Sequence, residues 1–167
     1  MKPVITPITE DDISNLSIGD MILISGIIYT GRDAALPKIV SLINEGCLKE
    51  SGIDLKGKAI FHTAVSPAGI GPTSSNKLDI ESSIPELSKA GVKIHLGKGA
   101  LKNTTVQSLN EHNSVYATVP PVTALLSSKI KTKKVVAFPE QGMEAFHLLE
   151  VDGFPAIVTA AHGKTLF

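Results

Sequence analysis

Residues 21–46, MILISGIIYTGRDAALPKIVSLINEG, decide the fold class, because the hydrophobic period changes inside them. The first ten are rich in β-branched residues, which suit a buried strand, and Gly26 interrupts them where that strand is expected to bend. Beyond Gly31 the spacing turns helical. Ala35, Ile39, Leu42 and Ile43 share one face, Pro37 falls in the first turn, where it is tolerated, and Gly46 stands where a helix stops.

The same alternation extends outward. KAIFHTA at 58–64 reads as the next strand, and 74–90 as a helix with Leu78, Ile84, Leu87 and Ala90 inward, Pro85 weakening its first half. VKIHLGKGAL at 92–101 returns to strand and turn, followed by a helix at 102–112, a strand at 114–118, a helix at 121–130 and a strand at 133–138. EAFHLLEVDGFPAIVTAAHG carries two strand-like runs whose junction at Asp152 and Gly153 reads as a hairpin. At the other end, residues 1–14 are expected to form an N-terminal edge strand, broken by Pro3 and Pro7, and a connection that begins around Asp11, Asp12 and Ser14. These elements predict an α/β fold of layered mixed sheets with helices, as one domain over residues 1–167.

Sixteen basic residues balance sixteen acidic ones without long runs of either sign, which argues against a non-specific nucleic-acid or anionic-membrane surface. Any anion site must be local. Cys47 is the only cysteine, so an internal disulfide is excluded, and Cys47 alone holds neither a zinc nor an iron–sulfur cluster. MKPVITPITEDD lacks a signal-type apolar core and nowhere are there about 18 consecutive apolar residues. A soluble, cytoplasmic protein is the expectation.

The chemistry-bearing residues cluster in a few turns. GIGPTSSNKLD at 69–79 joins tight Gly/Pro geometry to Thr73, Ser74 and Ser75, residue types that cap helix N-termini, where free N–H groups attract anions. It is either an anion site or a plain helix cap. Arg32, where a strand gives way to a helix, either pairs with a ligand carboxylate or phosphate or forms an ion pair with Asp33. Lys98 lies in GKG, which lacks the spacing of a phosphate-binding P-loop, so an exposed turn lysine is the plainer reading. His62, His95, His112, His147 and His162 show no metal-ligand spacing and read as structural, and Glu140 and Glu144 could serve acid–base chemistry but read more simply as solvated or capping groups.

Taken in order, GRDAA, GIGPTSSNKLD, GKGAL and PEQGMEAF resemble the β subunit of the two-subunit class I fumarate hydratases and of L(+)-tartrate dehydratase, equivalent to the C-terminal domain of single-chain class I fumarases. The resemblance covers residues 15–167. It implies a swivelling β/β/α domain that packs on an α subunit, in a heterotetramer or with self-association. It also implies that the α partner carries a 4Fe-4S cluster, none being bound by this chain alone, and that the substrate is a small dicarboxylate such as fumarate, malate or tartrate.

Position by position, Arg32 matches the arginine of the family's RDxAH motif and would hold a carboxylate, while Thr73 matches the first threonine of GPTT and would be the base. Ser74 takes the place of the second threonine, Lys77 that of the arginine in an RMD triplet, and Lys98 matches the lysine of a KG turn. Leu36 replaces the motif histidine, and PPVTALL at 120–126 replaces a turn that usually contains GG. The alternative that these departures suggest is a non-catalytic paralogue acting as a binding or regulatory module.

Overall fold

Two long strands, β2 (Met21–Thr30) and β7 (Phe146–Ala161), form an antiparallel ribbon around which the other strands assemble. A computed structural model describes residues 1–72 and 77–167. β2 gives one edge to β7 along its whole length. It divides the other between β1 (Lys2–Ile5), opposite Ile22–Ser25, and β3 (Ala59–Phe61), opposite Ile28–Thr30. β7 likewise divides its second edge, pairing β6 (Ile130–Ala137) through Phe146–Val151 and β5 (Val115–Thr118) through Ile157–Ala160.

With β4 (Ile94–Gly97) between β3 and β5, the circuit β2–β3–β4–β5–β7 closes on itself. β1 to β5 run parallel; β7 runs against β2, β5 and β6, and the short β8 (Lys164–Thr165) is paired to it. The fold is therefore mixed α/β, as the alternating periods predict.

The hairpin expected at Asp152 and Gly153 is absent, because β7 is continuous there. Ile24 pairs with Phe154 but Gly26 with Val151, so β7 carries one extra residue, a bulge, and Gly153 adopts a positive φ of 69° at it. A turn-like dipeptide serves a bend in a long strand. Opposite the bulge, Gly26 has φ 113°, and a Cβ there would collide with the Thr6 hydroxyl, which accepts the Ile27 N–H at 2.8 Å.

Strand alternation divides the core. Ile22, Ile24, Ile28, Phe61, Leu96, Ala117, Leu149 and Phe154 fill the inside of the closed sheet. On the other face, Tyr29, Ile60 and Phe146 meet helices α2 (Leu36–Asn44) and α3 (Lys77–Lys89), and Tyr116 meets α4 (Asn103–Glu111). Leu36 and Ile39 of α2 are fully buried, each contributing about 1.5–3 kcal/mol by that burial. In α3, Ile80, Ile84 and Leu87 point inward, whereas Leu78, expected inward, is 62% exposed. Pro85 lies within α3 without ending it.

The residues after β1 form a short helix, α1 (Glu10–Ser14), where a connection was expected. Thr9 accepts the Asp12 N–H and the Asp12 carboxylate accepts the Thr9 N–H, a reciprocal cap readable in TEDD. α5 (Thr123–Ser128) is shorter than the 121–130 reading, and β6 begins three residues before the expected 133.

Gly26→Ala should lower the unfolding free energy by roughly 2 kcal/mol or more, through the collision with Thr6 and the positive φ. The urea midpoint should fall at constant slope. An unchanged midpoint would remove close approach as the reason for glycine at this position.

Candidate active site at the carboxyl ends of the parallel strands

The parallel strands end on one side of the sheet, where the residues expected to bind an anion emerge. Arg32 follows β2 through Gly31, whose missing side chain admits Leu36 and Phe146 at about 3.1 Å from its Cβ position. The Arg32 Nε donates to Glu144 Oε1 at 2.7 Å, both side chains being partly buried. Glu144 ends a 3-10 turn at Pro139–Glu144, so PEQGMEAF anchors the arginine, whereas Glu140 lies on the surface, 3.5 Å from Lys38.

β3 ends on His62 and Thr63, which serve opposite flanks. Thr63, almost fully buried, donates its hydroxyl proton to Gly71 O at 2.6 Å and pins the glycine-rich loop to the strand end. Val65 N–H donates to Met143 O at 2.8 Å, tying the same loop to the turn that holds Glu144. Arg32, Thr63, Gly71, Pro72, Pro121 and Thr123 line a groove of about 380 Å³. The PPVTALL departure thus borders the arginine directly.

On the other flank Lys77, at the start of α3, meets the Gly97–Gly99 turn after β4. A Cβ on Gly99 would lie 2.6 Å from Lys77 Nζ. A Cβ on Gly97 would collide with the Tyr116 hydroxyl and lie 3.0 Å from His62 Nδ1. Each glycine of GKG therefore makes room for a neighbouring side chain. The Tyr116 hydroxyl donates to Lys98 O at 3.0 Å, fixing the turn while the Lys98 side chain stays exposed. Burial, with the Glu81 carboxylate second, raises the Tyr116 phenol above its ordinary value, so it acts here as a donor. Glu81, itself buried, accepts from Lys102 N–H at 2.6 Å and from Thr105 Oγ1 at 2.7 Å, capping α4 from outside.

The structure thus places Lys77 and Lys98 together, and Arg32 across the end of β3 with the glycine loop. Thr73 and Ser74 lie outside the described residues. Leu36 is a core residue beneath Gly31. What the sequence reading missed are Glu144 as the Arg32 partner, Tyr116, Glu81 and His62; only PEQGMEAF carried a signal, and it pointed to a capping or solvated role.

A roomier concavity of about 640 Å³ lies at the opposite ends of the strands. There Lys93 is paired with Glu10 at 2.5 Å and Lys58 approaches Asp54 at 4.0 Å, so its inner cations are already matched. Among the described residues no three His, Cys, Asp or Glu side chains are grouped to hold a metal, and Cys47 follows α2 at the end away from Arg32. Among them also, no helix is long and apolar enough to cross a membrane.

The model of the fumarase C-terminus matches residues 3–167. The chain belongs to the fumarase C-terminus family. It is 31% identical over 155 residues to the anaerobic class I fumarate hydratase of Escherichia coli K12, covering 87% of this chain and 28% of that protein. It is 29% identical over 181 residues to the L(+)-tartrate dehydratase subunit beta of the same strain, covering 99% of this chain and 87% of that subunit. Fumarate hydratase 2 of Leishmania major is 28% identical over 156 residues, with 89% of this chain and 27% of that protein covered. The chain thus spans about a third or less of the fumarate hydratases it matches, and most of the tartrate dehydratase subunits.

Burial, and secondarily the Lys77 charge, pushes His62 down from 6.5 to about 4. Burial, and then His62, holds His95 well below 6.5. Both rings are neutral in the folded protein at neutral pH, whereas in the unfolded chain they take up protons near 6.5. The unfolded chain therefore binds more protons below pH 6.5, and stability should fall as pH drops from 6.5 towards 4, by about 3 kcal/mol at most from His62. Urea unfolding at a series of pH values should show this slope, and His62→Phe should flatten it. An equal slope in the variant would assign it to other groups.

Proposed function

We propose that this chain is the β subunit of an iron–sulfur-dependent hydro-lyase that reversibly hydrates or dehydrates a dicarboxylic acid, fumarate and malate first, tartrate next. The observation that carries this reading is the convergence of Arg32, Lys77 and Lys98 on the carboxyl end of β3, from three separate turns. Such a set suits an acid with two carboxylates, with Arg32 on one flank and the lysine pair on the other. The names of the related fumarate hydratases and of the tartrate dehydratase beta subunit support the reaction class.

Taking a proton from the carbon beside a carboxylate moves negative charge onto that carboxylate. Cations fixed around it then stabilise the transition state more than the ground state. Arg32, braced by Glu144, supplies a planar fork of directed donors, while Lys77 and Lys98 supply point charges. We assign Thr73 as the group that moves the proton. A hydroxyl does this only where positive charge lowers its pKa, the part this reading gives to the two lysines and Arg32.

The cluster that the family resemblance implies does not fit this chain, whose one cysteine is remote from the site, and belongs on an α partner. The assembly we propose pairs this chain, as a single swivelling β/β/α domain, with that partner in a cytoplasmic hetero-oligomer. The second reading, a non-catalytic binding module, draws on Leu36, which is committed to the core where the motif has a histidine.

Purified anaerobically with its α subunit and with iron restored, the complex should hydrate fumarate or dehydrate malate or tartrate. Thr73→Ala should abolish turnover without dissociating it, and Lys98→Met should reduce kcat/KM by about 100-fold. An active complex indifferent to both changes would refute the assigned roles. A complex that binds dicarboxylates by calorimetry yet turns none over would select the module reading.

A further inference from the structure

His62 stands on the helix-facing side of β3, its N–H bonded to Leu96 O at 2.8 Å, with the imidazole beneath the first turns of α3. The residue is 4% exposed. Among the described residues its Nε2 is buried without a hydrogen-bond partner, a cost that folded proteins normally avoid. Nδ1 is the nitrogen beside the Gly97 position that the Tyr116 hydroxyl also approaches.

The void around the ring is lined by Lys77, Ile80, Glu81, Lys98, Leu101 and Tyr116 among others, and measures about 10 Å³. That is room for one water at most and far too little for a dicarboxylate, so the described lining gives His62 no access to a ligand of that size. Among the polar groups lining it, the Tyr116 hydroxyl proton is given to Lys98 O, and Glu81 Oε1 is occupied by the cap of α4. The two lysines are the donors. Lys98 is exposed, whereas Lys77 is half-buried, with its ammonium set over Gly99.

We propose that His62 is a positioning residue for the cationic half of the site, its unpartnered Nε2 being the acceptor available to the Lys77 ammonium beside the Gly97–Gly99 turn. The inference rests on the reading that Lys77 binds a substrate carboxylate. A lysine side chain has many rotamers to lose, and fixing it beforehand removes that entropic cost from substrate binding. A carboxylate would also fix it but would cancel its charge, as Glu144 partly does for Arg32. An uncharged acceptor orients the ammonium and leaves its whole charge for the ligand.

The test has two arms. In the full-length chain labelled with ¹⁵N-histidine, Nε2 of His62 should be the unprotonated nitrogen, and its resonance should shift in Lys77→Met. A protonated Nε2, or a resonance that ignores Lys77, overturns the proposal whatever the enzyme does. In the α-subunit complex, His62→Phe should raise KM for the dicarboxylate about tenfold with kcat within about twofold, and His62→Gln should recover part of that. Added to Lys77→Met, His62→Phe should change nothing further. Full additivity of the two substitutions overturns the proposal, whereas a complex without hydratase activity defeats the hydro-lyase reading and leaves the NMR arm to decide.

Discussion

The bent antiparallel pairing of β2 with β7 is the constraint on which the rest of the structure depends. Each strand spends one edge on the other and divides its second edge between two neighbours, so a sheet of short parallel strands closes without any of them being long. The bend needs an extra residue on one strand and close backbone approach on the other. Gly153 and Gly26 supply these. Closure brings the ends of β2, β3 and β4 side by side, and the site is a consequence of that convergence.

Around the candidate site, three buried polar side chains fix the backbone. Thr63 holds the glycine loop, Tyr116 holds the Lys98 turn, and Glu81 caps α4. All three are buried, where a satisfied hydrogen bond is hard to exchange for water and the geometry it sets is correspondingly stiff. The cations sit on this frame with different degrees of freedom. Arg32 is braced by a carboxylate, Lys77 is half-buried, and Lys98 projects from a rigid turn as a flexible arm.

The α/β class was legible because each element has a strong period of its own, and β2 and α2 lie close to where the residues place them. Asp152–Gly153 misled because a bulge and a hairpin ask for the same local chemistry, a positive φ; the choice is made by β2, more than a hundred residues away. Leu78 misled because it falls in the first turn of α3, where its side chain is exposed. Within the candidate site, Arg32 and Lys98 were findable as charged residues beside glycines, and Lys77 through its place in GIGPTSSNKLD. Glu144, Tyr116 and His62 were not, because their roles arise from pairings across the sheet that no local pattern records.

The sheet order leaves β1 and β6 as its two outer strands. An open strand edge is a template for unwanted pairing with another chain, and both edges here carry the usual deterrents. β1 is four residues long and contains Lys2 and Pro3, while the largely exposed β6 presents Lys131, Lys133 and Lys134. Adding a strand there from a second copy would bring like charges into register. A chain of zero net charge thus places lysines and a proline where an exposed strand edge would otherwise pair with another copy.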